Sequence, residues 1–228
     1  MKSNAFVLCA LAACLTAASC APETASTEAS SGPAAPKAAE GVVVVAYVEG
    51  DVRIDGAPAE IGATVPGRFE IRTGAGARCD LVFDGRNALS VGQNAVASFD
   101  LTRDLPEVSL ERGGLTSVLK KLRRLVAQDS FVVRTAVAVA GVRGTSFCVW
   151  AGEDGTYICA CNGRVRTLDA KGSNELKLEA AHHAARTYSA AGDGFLVEIA
   201  GMEHHTDASV QSVAARIGYI VDWSAIDG

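Results

Sequence analysis

From residue 42 onward, the sequence predicts an all-β fold. Apolar side chains recur with a period of two, as in Val43, Val45 and Tyr47, which is the spacing of a strand with one buried face. Turn signals such as Asp55-Gly56 and Asp154-Gly155 separate the apolar runs, and the chain contains 23 glycines. Together these observations indicate many short strands joined by tight turns.

The predicted strands follow one another at short intervals. The clearest hairpin pairs Phe147–Trp150 with Thr156–Cys161 through the turn segment Ala151–Gly155, and Asn162-Gly163 behind it is a further turn signal. After the first strand, the predicted strands are Gly50–Gly56, Phe69–Arg72, Cys79–Phe83, Ala95–Leu101, Val108–Leu110, Phe131–Arg134, Ser146–Trp150, Tyr157–Cys161, Val165–Leu168 and Phe195–Ile199.

Two stretches have helical periodicity instead. In Ser117–Val126 the apolar residues fall on one face, and the basic run Lys120–Arg124 forms the solvated face, with contact to anionic lipid or peptidoglycan as the alternative. Ala208–Ile220 repeats apolar residues at the same spacing, and Asp207 is available as its N-cap. The sequence therefore predicts a short C-terminal helix in addition to the strands.

Residues 1–19 have the form of an export signal. Lys2 precedes the uncharged stretch Ala5–Leu15, and small residues then lead to Cys20. The stretch has eleven residues, whereas a helix that spans a bilayer needs about 20. We therefore expect a signal peptide rather than a permanent transmembrane helix.

A cysteine directly after small residues is the mark of a bacterial lipoprotein signal. Ala17-Ala18-Ser19-Cys20 gives a signal of ordinary length, so Cys20 is the predicted site of lipidation. Leu11-Ala12-Ala13-Cys14 is closer to the consensus but leaves a shorter apolar stretch, which makes Cys14 the alternative. An ordinary cleaved signal with incidental cysteines is the competing interpretation. Acylation of this cysteine with fatty acids such as palmitate would anchor the protein in a membrane of the cell envelope. Ala21, where an aspartate would favour the inner membrane, favours the outer membrane.

Four segments follow along the chain. Residues 20–41 contain no aromatic or large aliphatic side chain, so they cannot offset the entropy of ordering and are predicted as a flexible tether. The predicted organisation is a signal peptide over 1–19, the tether over 20–41, a β domain over 42–170, and a C-terminal strand and helix extension packed on it over 171–228.

Charge and motifs exclude several function classes. The net charge is −5, and it becomes −6 when residues 1–19 and hence Lys2 are removed, which disfavours non-specific nucleic-acid binding. The sequence shows no nucleophile elbow, no phosphate-binding glycine loop and no paired-carboxylate motif. We therefore expect no nucleic-acid partner, no cofactor and no enzymatic activity.

One segment carries a family resemblance. The apolar approach ending at Val142, the triplet Arg143-Gly144-Thr145 and Phe147 two residues beyond resemble the signature of the FecR domain family. Further matching features occur in order over about residues 42–170, namely Gly50 with Val52, Thr73-Gly74, Asp84-Gly85, Gly113 and Asn162-Gly163.

The resemblance implies a β-solenoid-like or sandwich-like fold without catalytic residues. In the best-known FecR proteins this domain is the periplasmic half of a membrane regulator that senses an outer-membrane siderophore transporter. This chain shows neither their cytoplasmic sigma-factor-binding region nor a spanning helix before the domain. We therefore expect a binding or scaffolding module tethered in the envelope, which engages a protein or a glycan. The alternative is a periplasmic sensor in transporter-linked, iron-uptake type signalling.

The signature arginine and the cysteines are the candidate structural sites. Arg143 lies among apolar residues, so it should be paired if buried, with Asp80 or Asp84 as its candidate partners. Phe147 and Val149 facing inward place Cys148 on the outer face of its strand, and the same reasoning places Cys159 and Cys161 there. We expect a disulfide from Cys148 to Cys159 or to Cys161, whereas Cys79 falls on the inward phase as a free thiol.

A metal site is the less favoured interpretation. A single residue between Cys159 and Cys161 is not zinc-finger spacing, even with Cys148 nearby. The pairs His182-His183 and His204-His205 are adjacent in sequence, so on strands their side chains would point to opposite faces. The sequence therefore predicts exposed histidines and no metal.

Overall fold

The computed structural model of the chain describes residues 42–120, 130–142 and 144–227. The predicted signal, the tether, Arg143 and residues 121–129 lie outside these ranges. Within them the strands are β1 Val43–Glu49, β2 Val52–Ile54, β3 Ala57–Pro58, β4 Thr64–Val65, β5 Arg68–Thr73, β6 Arg78–Phe83, β7 Asn87–Val91, β8 Val96–Asp100, β9 Glu107–Leu119, β10 Phe131–Arg134, β11 Ala138–Val142, β12 Ser146–Gly152, β13 Gly155–Asp169, β14 Leu176–Ala180, β15 Ala184–Ala191 and β16 Gly194–Ala200. The helix α1 is Asp207–Ala215.

The strands form two sheets that share two long strands. Sheet A has the order β4-β1-β6-β7-β9-β12-β13-β15-β16. Sheet B has the order β3-β2-β5-β8-β9-β10-β11-β13-β14. Strands β9 and β13 belong to both sheets, so the two layers are joined covalently twice. The fold is all-β and sandwich-like, as predicted.

Both shared strands pass from one sheet to the other at a glycine. Gly113 in β9 has φ +85, and a Cβ there would lie 2.6 Å from the Cα of Ala95. Gly163 in β13 has φ +120, and a Cβ there would lie 2.7 Å from Thr145 Oγ1. Only glycine combines this conformation with such close approach. The Asn162-Gly163 turn signal is therefore wrong as a turn, because it marks a bend within a continuous strand, as Gly113 does in β9.

The main core lies between the two sheets. Phe69 and Phe99 stack across β5 and β8 with ring centroids 4.7 Å apart, and Phe131 lies between Phe83 and Phe147 at 6.1 and 6.3 Å. Burying each such side chain contributes roughly 1.5–3 kcal/mol. The alternation predicted from the sequence thus supplies the inner faces of both layers.

A second core covers the outer face of sheet A. It joins outward residues of the sheet to Val210, Val213 and Ala214 of α1 and to Val221 behind the helix. Consequently β13 is buried on both faces from Thr156 to Asn162, whereas after Gly163 buried residues alternate with exposed or partly buried ones. The C-terminal segment therefore forms a third layer over sheet A.

The predicted C-terminal helix is confirmed with different ends. It begins at Asp207 and its N-cap is Thr206, whose side chain accepts from the Ser209 backbone while Ser209 Oγ accepts from the Thr206 backbone. The expected Asp207 cap is thus wrong by one residue. No helix among the described residues is long and apolar enough to cross a membrane.

The helix predicted over Ser117–Val126 is wrong as far as the structure describes it. Ser117–Leu119 end strand β9, where they pair with both β7 and β12. Pairing along the edges of the strand, together with burial of all three side chains, overrides the local helical pattern. Lys120 is only partly solvated, since its ammonium lies 3.0 Å from the Tyr219 ring centroid and 3.1 Å from Asp227 Oδ2.

A buried carboxylate holds the helix on the sheet. The Asp80 side chain is 0 % exposed. Arg78 of the same strand donates to both of its oxygens at 2.8 and 2.9 Å, and Arg216 after α1 donates to Oδ2 at 2.8 Å. Asp80, one of the two predicted partners of Arg143, therefore has two other arginine partners.

Replacing Asp80→Asn should destabilise the protein strongly, because two guanidinium groups would lose their buried counter-charge. We expect the free energy of unfolding to fall by about 3 kcal/mol in urea denaturation. The matched control is Glu179→Gln, which removes an ion pair with Arg164 whose side chains are 52 % and 51 % exposed. That change should cost less than about 1 kcal/mol, and equal effects of the two substitutions would contradict this account.

Candidate functional site

Three cysteines lie together on the outer face of sheet A. Cys148 of β12 is the direct cross-strand partner of Cys159 of β13, as predicted. The register shifts between Ser146 and Phe147, so Cys161 is an extra residue on β13, and such a bulge re-aims its side chain. Its Sγ lies 3.6 Å from Cys148 Sγ.

Two loops bring a histidine each to these thiols. His183 lies between β14 and β15, and its Nδ1 is 3.5 Å from Cys159 Sγ. His205 lies between β16 and α1, and its Nε2 is 3.4 Å from Cys161 Sγ. The two imidazoles also approach each other, with His183 Nδ1 3.2 Å from His205 Nε2. We call Cys159, Cys161, His183 and His205 the Cys/His cluster.

The backbone of both loops takes up strain to deliver these rings. His183 has φ +54 and His204, directly before His205, has φ +59. Side chains of this size rarely adopt the left-handed region. The loops are fixed to β13 by hydrogen bonds from the His183 backbone to Cys161 O at 3.0 Å and from Tyr157 Oη to Gly201 O at 2.9 Å.

The outer nitrogens of both rings face groups that only accept hydrogen bonds. His183 Nε2 lies 2.7 Å from Asp207 Oδ1, and His205 Nδ1 lies 2.6 Å from the backbone oxygen of Glu203. Each outer nitrogen must therefore carry the ring proton. In the neutral tautomers the inner nitrogens of both rings then present lone pairs to each other and to the thiols.

The cluster favours charge separation among its own groups. A hydrogen bond from Cys161 lowers the pKa of the Cys159 thiol to about 4 in spite of burial. Burial opposes a charge on His205, but hydrogen bonds with Cys148 and Cys159 outweigh it and raise the pKa of His205 to about 10. Burial raises the pKa of Cys161. A negative charge on Cys159 and a positive charge on His205 therefore stabilise each other.

Aromatic rings enclose the cluster. Trp223 stacks on His183 with centroids 5.3 Å apart, and Tyr157 lies 6.0 Å from His205. On the other side a pocket of about 150 Å³ reaches Cys148 and is lined by Trp150 and His204 among others. The thiols are thus shielded by the C-terminal segment and its loops.

Two groups of potential metal ligands occur among the described residues. The ligand atoms of the Cys/His cluster all lie within 4.8 Å of one another. His182, His183 and Asp207 form a second group at the surface. His183 belongs to both, but its two nitrogens point to different groups, so Asp207 is an outer partner of the cluster.

Some of the sequence predictions for these cysteines and histidines agree with the structure and others do not. The common outer face of the three cysteines and the free, inward Cys79 are confirmed. The predicted disulfide is not shown, since Cys148, Cys159 and Cys161 are free thiols. The expectation of exposed histidines is wrong for His183, whose side chain is 10 % exposed, because its loop folds under Trp223.

The grouping of cysteines and histidines escaped sequence reasoning because their loops are distant in the chain. The one available signal was the presence of two pairs of adjacent histidines, His182-His183 and His204-His205. The expected absence of a metal stays a prediction, although the geometry gathers two sulfur and two nitrogen atoms.

The signature segment has a structural place at the crossover from β11 to β12. Val142 and Phe147 are fully buried in the main core, and Gly144 has φ +55. Thr145 Oγ1 donates to Arg164 O and accepts from Arg164 N, each at 3.0 Å. The hydroxyl therefore fixes the crossover to the bend of β13. Arg143 lies outside the described residues.

Comparison with known proteins finds one family model that is similar to part of the chain. Residues 69–166, which run from β5 into β13, match the family model described as FecR protein. FecR proteins are a regulatory rather than an enzymatic class. A search of curated proteins finds no match.

Two crystal structures, each of a proposed anti-sigma factor from Parabacteroides distasonis, are similar to the chain. One has 17 % identity and a TM-score of 0.48, and the similarity covers 64 % of this chain and 62 % of that one. The other has 16 % identity and a TM-score of 0.47, with coverage of 70 % and 82 %. The chain thus spans less than two thirds of the first structure.

The contribution of the Thr145 hydroxyl to stability can be measured separately from that of the side-chain volume. Thr145→Val leaves the backbone N–H and C=O of Arg164 without this buried partner, so we expect a loss of about 2 kcal/mol in the free energy of unfolding. Thr145→Ser keeps the hydroxyl and loses one methyl, which should cost about 1 kcal/mol or less. Urea denaturation checks both, and a larger effect of serine than of valine would refute the role of the hydroxyl.

Proposed function

We propose that the chain is an exported, lipid-anchored and non-catalytic regulatory module of the cell envelope. The observation that carries this proposal is the FecR match over residues 69–166. The fold agrees with it, because the signature residues Thr145 and Phe147 serve packing and the crossover rather than an open cleft. The domain then acts by binding a partner, not by converting a substrate.

A regulatory role fits this domain better than a passive scaffold. The FecR class senses and transmits signals, whereas a scaffold would need only a surface that binds an envelope protein or a glycan. We therefore propose that the module takes part in signalling linked to an outer-membrane transporter. Binding or scaffolding without signalling is the second candidate.

The partner separates the two candidates. The full chain with a C-terminal tag is crosslinked in the native envelope and purified, and the unlipidated Cys20→Ala chain serves as the control for location. Enrichment of a transporter or a sigma regulator, with altered transcription of the transporter operon in a deletion strain, supports regulation. Recovery of structural envelope proteins alone, with unchanged transcription, would reject the signalling role and support the scaffolding role.

Lipidation gives the second test of this proposal. Cys20→Ala should abolish incorporation of labelled palmitate and move the protein from the membrane to the soluble fraction, because several acyl chains provide the stable anchor. Cys14→Ala is the matched control and should keep both label and membrane attachment. Loss of label in Cys14→Ala but not in Cys20→Ala would transfer the site to Cys14, and retention in both would reject the anchor.

A further inference from the structure

We propose that Cys159, Cys161, His183 and His205 form a four-coordinate Zn²⁺ site that clamps the C-terminal segment onto the FecR domain. This inference is independent of the proposed regulatory role, because it concerns how the chain is held together. It explains why two sulfur and two nitrogen donors from three separate segments meet on one buried face.

Three of the six distances between ligand atoms of the cluster match the edges of a zinc tetrahedron. With Zn–S near 2.3 Å and Zn–N near 2.0–2.1 Å, a tetrahedral site has S···N edges of about 3.6 Å and an N···N edge of about 3.3 Å. The cluster has S···N separations of 3.5 and 3.4 Å and an N···N separation of 3.2 Å. The other three separations are no longer than 4.8 Å, so a metal could be bound with side-chain movements of about 1 Å.

Each histidine already has the outer partner that zinc-bound histidines use. A metal-bound imidazole usually donates its other N–H to a carboxylate or a backbone carbonyl, which fixes ring orientation and tautomer. Asp207 serves His183 in this way, and the Glu203 carbonyl serves His205. Both inner nitrogens are thereby left to coordinate.

Charge balance also favours a divalent ion at this position. Cys159 and Cys161 are fully buried, and binding of Zn²⁺ displaces two protons from the cluster, which leaves both cysteines as thiolates and both imidazoles neutral. The two thiolates then balance the dication, so the centre has no net charge to bury. Two sulfur and two imidazole ligands in tetrahedral arrangement are typical of zinc.

The ligands divide between two parts of the chain. Both cysteines lie within the FecR match, whereas His183 and His205 follow it. All four positions are supplied by protein and enclosed by Trp223 and Tyr157, which is the form of a structural rather than a catalytic site. The ion would thus join β13 to the loops before β15 and α1.

The full chain, purified under reducing conditions without chelator, tests this assignment by its metal content. We expect about one zinc per chain in elemental analysis, and after replacement by Co²⁺ the strong visible absorption of tetrahedral cobalt together with a thiolate charge-transfer band. Removal of zinc by a chelator should lower the melting temperature by roughly 10 °C and expose the 201–206 loop to protease.

Matched variants assign the ligands. Cys161→Ala and His205→Asn should lose the zinc, whereas Cys79→Ala in the main core and His204→Asn beside the cluster should keep it. Asparagine is used because it tolerates the left-handed backbone of position 204. Equal zinc content in Cys161→Ala and Cys79→Ala would overturn the site.

A measurement on the unmodified protein guards against variants that fail to fold. Titration of the thiols with a mercurial reagent should release zinc in a 1:1 ratio to the chain, as read by a colorimetric chelator. Absence of metal after incubation with ZnCl₂ would overturn the proposal, and so would a Cys148–Cys161 disulfide in place of the metal.

Discussion

The structure depends on one strand that is used by both sheets and on both of its faces. Strand β13 pairs with β12 and β15 in sheet A before Gly163, and with β11 and β14 in sheet B after it. In its first half the inner face fills the main core, while the outer face carries Tyr157, Cys159 and Cys161. A strand buried on both faces requires a third layer, and the C-terminal segment provides it.

Much of this arrangement follows from the sequence. The period of two predicts the strands, and the phase of Phe147 against Ile158 places the cysteines on one outer face, as the register of Cys148 with Cys159 confirms. Local patterns fail where pairing with distant strands decides the outcome. Asn162-Gly163 has the chemistry of a turn, yet Asn162 instead holds the backbone of Ala181 and Asp222 by side-chain hydrogen bonds at 2.8 and 2.9 Å.

The candidate site lies at the boundary between the family domain and its extension. Sequence spacing within β13 suggested only two thiols, because His183 and His205 come from loops 24 and 44 residues after Cys159 and Cys161, respectively. Three kinds of interaction hold the C-terminal segment, which covers β13, on sheet A. They involve the Asp80 carboxylate, the Asn162 amide and the Cys/His cluster. The C-terminal segment therefore gives this side of the molecule a different outer surface from that of sheet A alone.

The central claim is that a metal bound by the Cys/His cluster holds the C-terminal segment on sheet A. X-ray absorption at the zinc edge of the full-length protein is its most direct test. The account predicts a first shell of two sulfur atoms at about 2.3 Å and two nitrogen atoms at about 2.0 Å. A first shell of oxygen and nitrogen alone would contradict it. So would a protein that retains no zinc while its C-terminal segment stays folded on sheet A.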